Sequence, residues 1–166
     1  MASNIKLKEI KHPFWQVVGI GTLAGMRTSS APAITSQILS RHHSKRLEKS
    51  PLKFMQSKTV ADVLTVLSVT EVIADKLPSA PNRIEPGGII FRGLSGALAG
   101  ASIYKASGNN VLAGTLIGAA SAVASTYMSF FLRKSIVKNT SIIDPIIGAL
   151  EDALVIGAGV GLAQVA

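Results

Sequence analysis

The chain has 166 residues, of which 48% are hydrophobic and 5% aromatic, and it carries a formal net charge of +8. A mean hydropathy of +0.41 is high for a soluble domain, so the first interpretation is a single membrane domain over residues 1–166. The absence of cysteine excludes disulfides and thiolate chemistry. The basic residues flank apolar runs without a nucleic-acid-binding motif, which favours membrane lipids with anionic headgroups as partners and argues against nucleic acid.

The first apolar segment covers residues 14–40 and follows a basic N-terminal segment, residues 1–13, which we expect to be retained because no clean cleavage site ends the run. Arg27 lies near the middle of this segment. Residues that weaken a helix surround it, namely Gly25, Thr28, Ser29, Ser30 and Pro32. Freed backbone groups at membrane depth are tolerated only inside protein or beside water, so we predict a broken or re-entrant first segment.

A basic loop is predicted over residues 41–58, where the adjacent His42 and His43 lack the further ligands that a metal site needs. The second helix, predicted over 59–77, carries Glu71 and Asp75 on one face because they are four residues apart. A proline-rich turn over 77–87 then prevents that helix from continuing. This junction also contains Lys76, Pro78, Pro81, Arg83 and Pro86.

Three further helices are predicted, over residues 88–106, 109–132 and 145–165, which gives about five hydrophobic helices in an all-α fold. Arg92 lies in the third, and Glu151 and Asp152 lie in the fifth. Small residues on the first, third and fourth helices favour close helix packing within one subunit or between subunits of a homo-oligomer. These packing residues are Gly25, Gly96, Gly100, Gly114 and Gly118.

A weak internal repeat relates the first and fourth segments. Gly21, Thr22, Leu23 and Gly25 match Gly114, Thr115, Leu116 and Gly118. In each copy, small polar residues, a basic stretch and an acid-bearing helix follow. If all five segments cross the membrane, the two copies are inverted around the third, as in many transporters.

The sequence resembles the uncharacterised bacterial membrane proteins of the domain-of-unknown-function family 4126, over roughly residues 19–163. The run ADKLP-x-x-P-x-R-x-x-P, from Ala74 to Pro86, carries most of the resemblance. Other matching positions are Gly25, Arg27, Thr28 to Ala33, Glu71, Arg92, Gly96, Gly100, Glu151 and Asp152. The resemblance implies a multi-pass protein of the bacterial inner membrane, and it implies no substrate or catalytic residue.

Charged and hydroxyl groups inside the apolar segments are the candidate ion- or solute-binding residues: Arg27, Thr28, Ser29, Glu71, Asp75, Lys76, Arg92, Glu151 and Asp152. Each ionised group is costly in lipid, so we expect them to converge in one interior site. A small channel or secondary transporter is the favoured function. The alternative is a structural or assembly protein whose buried charges cross-brace the helices. We expect no enzyme activity and no cofactor; the carboxylates are suited to Mg²⁺ or Ca²⁺, and whether a metal binds stays open.

Overall fold

The structure is a computed structural model that describes residues 10, 12–74, 84–139 and 144–165. Within these ranges all regular structure is helical, which confirms the predicted all-α class. The α-helices are α1 (Pro13–Met26), α2 (Ser30–Arg41), α3 (Lys45–Glu48), α4 (Lys58–Ala74), α5 (Pro86–Ser107), α6 (Val111–Asn139) and α7 (Asp144–Val165). A 3₁₀ helix over Pro51–Gln56 precedes α4.

The first apolar segment is divided into two antiparallel helices, α1 and α2. α1 ends at Met26, and Arg27 has extended backbone angles, φ −140° and ψ 116°. The N-terminal end of α2 lies beside Ser95 in the middle of α5, whereas Ser44, just beyond α2, lies beside Ala106 near the C-terminal end of α5. α2 therefore runs back along the direction of α1, and the two helices form a hairpin.

Glycines set the distance between α1, α5 and α6. A Cβ atom added to Gly21 of α1 would lie 2.8 Å from the carbonyl oxygen of Gly118, and Gly96 and Gly100 of α5 face Gly118 and Gly114 of α6 even more closely. Backbones approach this closely only where neither residue has a side chain, so these positions require glycine. Gly96 faces Gly118 and Gly100 faces Gly114, so the numbering rises in one helix as it falls in the other, and α5 and α6 are antiparallel.

The inverted repeat expected for the first and fourth segments is wrong. Gly21 contacts Gly118 and Gly25 contacts Ala122, so α1 and α6 run in the same direction. The hairpin explains this direction. α2 returns the chain to the end at which α1 began. α4 and α5 then run in opposite directions before α6 begins, so α6 has the same direction as α1.

The remaining long helices pack around the hairpin. α4 lies antiparallel to α2, with the Gln37 amide donating to Thr65 Oγ1 at 3.1 Å. α7 lies antiparallel to α1, since Asp152 meets Arg27 and Leu162 meets Gly19. The buried apolar core between these helices is centred on Val17, Ile20, Ile38, Leu39 and Ile103.

Some predicted boundaries need correction. Residues 41–58, predicted as a loop, contain α3 and the 3₁₀ helix, because Leu47 and Met55 are buried and fold the stretch against the hairpin. α6 continues to Asn139, beyond the predicted end at residue 132. After Gly118 that helix contains no glycine or proline that would end it.

Among the residues that the structure describes, two helical stretches are long and apolar enough to cross a membrane by length and composition, Val111–Lys138 and Ile146–Val165. Only 28% of each tested window is buried inside the molecule. Both helices therefore expose much of their apolar surface.

Candidate functional site

The hairpin tip, defined here as Arg27, Thr28 and Ser29, lies at mid-depth in the helix bundle. It contacts Ser95 of α5 and Asp152 of α7, and each of these residues is close to the middle of a 22-residue helix. A helix rises about 1.5 Å per residue, so the tip is roughly 15 Å from either end of these helices. The break in the first segment is therefore an interior feature.

Glu71 of α4 binds the N-terminal end of α2. Its carboxylate accepts hydrogen bonds from the backbone N–H of Thr28 at 2.9 Å and of Ser29 at 2.8 Å, and from the Ser29 hydroxyl. The N-terminus of a helix carries a partial positive charge and unsatisfied N–H groups, so it attracts anions. The carboxylate of Glu71 therefore lies at the N-terminal end of α2, the returning half of the hairpin.

Arg27 and Asp152 form a buried ion pair. The residues are only 3% and 7% exposed, and Arg27 Nη2 donates a hydrogen bond to Asp152 Oδ1. The partners are 125 positions apart in sequence, so this pair fixes α7 to the hairpin. Removing one partner of such a pair leaves an uncompensated buried charge, which typically costs about 3–5 kcal/mol.

Side chains from three helices donate hydrogen bonds to carbonyl groups around the break. Ser30 Oγ donates to Leu23 O at 3.1 Å and to Arg27 O at 2.7 Å, which covers the end of α1. The Thr126 hydroxyl of α6 is shared between Ala122 O of its own helix at 2.8 Å and Gly25 O at 3.2 Å, and Ser95 of α5 donates to Thr28 O. With its backbone groups paired in this way, the break can be buried at depth.

Two other charged groups lie near the tip. Arg92 is buried, 8% exposed, one turn before Ser95 on α5. Glu151 approaches Arg133 of α6, with Nη1 and Oε2 3.7 Å apart.

The structure therefore divides the predicted site residues. It brings Arg27, Thr28, Ser29, Glu71 and Asp152 together, and it places Glu151 in a separate pair. Pro86 is the first residue of α5. The remaining predicted residues of the junction, Asp75, Lys76, Pro78, Pro81 and Arg83, lie outside the described residues.

Chemically, the described part of the site offers a helix N-terminus, one carboxylate bound to it and one buried ion pair. Within residues 12–74, 84–139 and 144–165, no group of three histidine, aspartate or glutamate side chains lies close enough to hold a metal ion.

Residues 15–165 match the model of a protein family described as a domain of unknown function, DUF4126. The chain belongs to the DUF4126 family. This confirms the resemblance seen in the sequence. No curated protein and no solved structure matched this DUF4126 chain.

Sequence reasoning overlooked several residues of the DUF4126 site. The hydroxyl groups of Ser30 and Thr126 bind the broken backbone, and Ser125 Oγ donates to Thr22 O at 2.8 Å. A signal was present, because consecutive serine and threonine residues in the apolar helix α6 require hydrogen-bond acceptors wherever they are buried. The acceptor of Ser125 lies on α1, and the Thr126 hydroxyl is shared between α1 and its own helix.

Proposed function

We propose that this DUF4126 chain is an integral membrane protein. The supporting observation is a belt of large apolar side chains on the outer faces of α4 to α7, each more than 50% exposed. The belt includes Val66, Leu67, Ile73, Phe91, Leu94, Met128, Phe131, Leu132, Leu150, Leu154 and Ile156. Soluble monomers rarely expose contiguous apolar patches of this extent, whereas lipid tails solvate them.

In this proposal α4 to α7 cross the bilayer and the α1–α2 hairpin enters it and returns. α1 has 14 residues and α2 has 12, so at about 1.5 Å per residue each is shorter than a hydrocarbon core of roughly 30 Å. The end of the molecule where α2 ends and α4 begins is rich in basic residues: Arg41, Lys45, Arg46, Lys49, Lys53, Lys58 and Lys105. By the positive-inside rule, we propose that this end faces the cytoplasm and that the membrane is a bacterial inner membrane.

We propose that the function is passage of an ion or small solute past the hairpin tip. The observation that carries this proposal is the position of the helix break at mid-depth, where the N-terminus of α2, Arg27 and two carboxylates meet. Discontinuous helices that present a terminus at the midplane form the substrate sites of many transporters. In the conformation described here, Glu71 occupies that terminus and Asp152 is bonded to Arg27, which corresponds to a closed site.

A second candidate is a structural membrane protein in which the charges only hold helices together. The observation that favours it is that each carboxylate described near the tip already has a partner from the chain: Glu71 the α2 N-terminus, Asp152 Arg27, and Glu151 Arg133. Paired groups of this kind are compatible with a purely bracing role.

Flux measurements in proteoliposomes distinguish the two candidates. We expect wild-type vesicles to conduct at least one ion or solute of a broad panel, and Glu71→Gln to change that flux by about tenfold or more while circular dichroism shows an intact fold. Glu151→Gln, which changes the neighbouring α7 carboxylate that pairs with Arg133, is the matched control and should behave like wild type. Wild-type vesicles no leakier than empty ones across all ions and pH gradients would exclude passage and favour the bracing role.

A further inference from the structure

A basic cavity of about 450 Å³ lies at the end of the molecule where the hairpin begins and ends. Four basic residues line it on one side, His42, His43, Lys45 and Arg46, and Ile10 and Pro13 contribute an apolar side. None of the described residues that line it is acidic. Its volume lies within the range of roughly 300–1,000 Å³ that is usual for small-molecule sites.

The segment that carries the basic residues is held in place by hydrogen bonds. The backbone N–H of Ser44 donates to Gln56 Oε1 at 2.5 Å, and Ser44 Oγ donates to the Ala106 carbonyl oxygen at 2.9 Å. His42 Nδ1 lies 3.0 Å from Ile38 O. A carbonyl oxygen only accepts hydrogen bonds, so Nδ1 carries the proton and Nε2 is the ring nitrogen left for a ligand.

Arg46 is positioned by a glycine. Its guanidinium lies over Gly108, the left-handed residue that ends α5 at φ 79°, and a Cβ atom there would lie 2.5 Å from Arg46 Nη1. The positive φ requires glycine at this position. The guanidinium therefore lies against the α5–α6 turn, beside the cavity.

Aromatic side chains mark the depth of the cavity. Phe14 and Trp15, 46% and 68% exposed, directly follow Pro13 and make an edge-to-face pair with ring centroids 5.2 Å apart. Exposed tryptophan at the end of an apolar segment is typical of the membrane–water interface. The basic cavity is thus at the level of lipid headgroups.

We propose that the basic cavity binds a phosphate-bearing anion, presented by the headgroup of an anionic phospholipid. Arginine, lysine and protonated histidine supply charge-assisted hydrogen bonds to phosphate oxygens, and the apolar side contacts the carbon atoms next to the phosphate. The assignment of a phospholipid headgroup as the ligand rests on the membrane placement proposed above. The binding of phosphate oxygens by the basic residues does not depend on that placement.

The test uses the full chain, purified in an uncharged detergent, and short-chain lipids added as monomers. Trp15 is the single tryptophan, and its fluorescence reports binding beside the cavity. We expect phosphatidylglycerol to bind saturably and phosphatidylcholine to bind at least tenfold more weakly, a difference of about 1.4 kcal/mol. Inorganic phosphate is titrated in a separate arm: saturable binding that displaces the lipid identifies a free phosphate as a ligand, and no binding identifies the lipid alone.

Matched variants distinguish a built site from general charge attraction. Lys45→Gln combined with Arg46→Gln should weaken phosphatidylglycerol binding by about tenfold. Lys49→Gln combined with Lys53→Gln removes the same charge from positions that are exposed, as Lys45 and Arg46 are, but lie outside the cavity, and it should leave binding unchanged. Asn109→Phe keeps every basic residue and fills the cavity, so it should also weaken binding.

Equal loss of binding in the two lysine-containing double variants would overturn the proposal, because the attraction would then be general. Equal binding of phosphatidylcholine and phosphatidylglycerol would also overturn it. If the Lys45 and Arg46 double variant does not fold, unchanged binding in Asn109→Phe refutes the site. A chain that stays in solution without detergent would refute the membrane placement alone, and the inorganic phosphate titration would still test the cavity.

Discussion

Two interior regions hold the helices together by different means. Between α1, α5 and α6 the contacts are backbone against backbone, through glycines that leave no room for a side chain. At the hairpin tip the contacts are polar, through Glu71, the Arg27–Asp152 pair and hydroxyl groups. The first region is therefore sensitive to added volume and the second to removed charge.

The largest effect is expected for Gly100→Leu. Any side chain at this position overlaps the backbone of Gly114, and the helix pair has to separate. Overpacking typically costs 1–3 kcal/mol and more where backbone must move, so we expect a loss of at least about 3 kcal/mol and poor recovery of folded protein. Thermal unfolding of the purified variant in detergent measures this loss of stability.

The control for that prediction is Gly157→Leu on α7, where an added Cβ meets no described atom within 4 Å. Its stability should stay within about 0.5 kcal/mol of wild type, since exposed helix positions tolerate substitution. Similar losses in both variants would show that the close glycine contacts are not what limits stability.

An effect of similar size is expected for Asp152→Ala, which leaves Arg27 charged and buried. We expect a loss of about 3–5 kcal/mol in the free energy of unfolding. The double variant Arg27→Met with Asp152→Leu removes both charges and should recover most of that loss, because apolar replacement of a buried pair is often neutral. A double variant as unstable as Asp152→Ala would contradict this account.

A smaller effect on stability is expected for Glu71→Gln. The amide keeps the shape and one acceptor oxygen, but the negative charge at the α2 N-terminus is lost. Charge at a helix N-terminus contributes about 0.3–2 kcal/mol, so we expect a loss of 1–2 kcal/mol. Hydrogen exchange of the Thr28 and Ser29 amides should increase locally, and unchanged protection of both would show that the carboxylate does not hold this turn.

The smallest effect is expected for Glu151→Ala. The Arg133–Glu151 pair is longer, at 3.7 Å, and the Arg133 side chain is 23% exposed. Partly solvated pairs contribute about 0–1 kcal/mol, so the loss should be below 1 kcal/mol. A cost equal to that of Asp152→Ala would mean that both acids of α7 belong to one site.

Much of the local structure was predictable from the sequence. The apolar runs predicted the long helices, and Gly25, the hydroxyl residues after Arg27 and Pro32 indicated a break, because each weakens a helix independently of the fold. Pro32 is tolerated in the first turn of α2, where its missing N–H costs nothing. The position of the break is therefore a property of the sequence.

The partners across the break were decided by the tertiary structure. The sequence offered Arg27 four carboxylates, and only the direction in which α2 returns places Asp152 beside Arg27 and Glu71 beside the α2 N-terminus. That direction depends on contacts between residues far apart in the chain, such as Thr126 with Gly25 and Ser95 with Thr28. The same return makes α1 and α6 parallel, so the inverted repeat predicted from Gly21 and Gly114 was wrong. Local propensity fixes where a helix ends, but the packing of distant segments fixes where the next one goes.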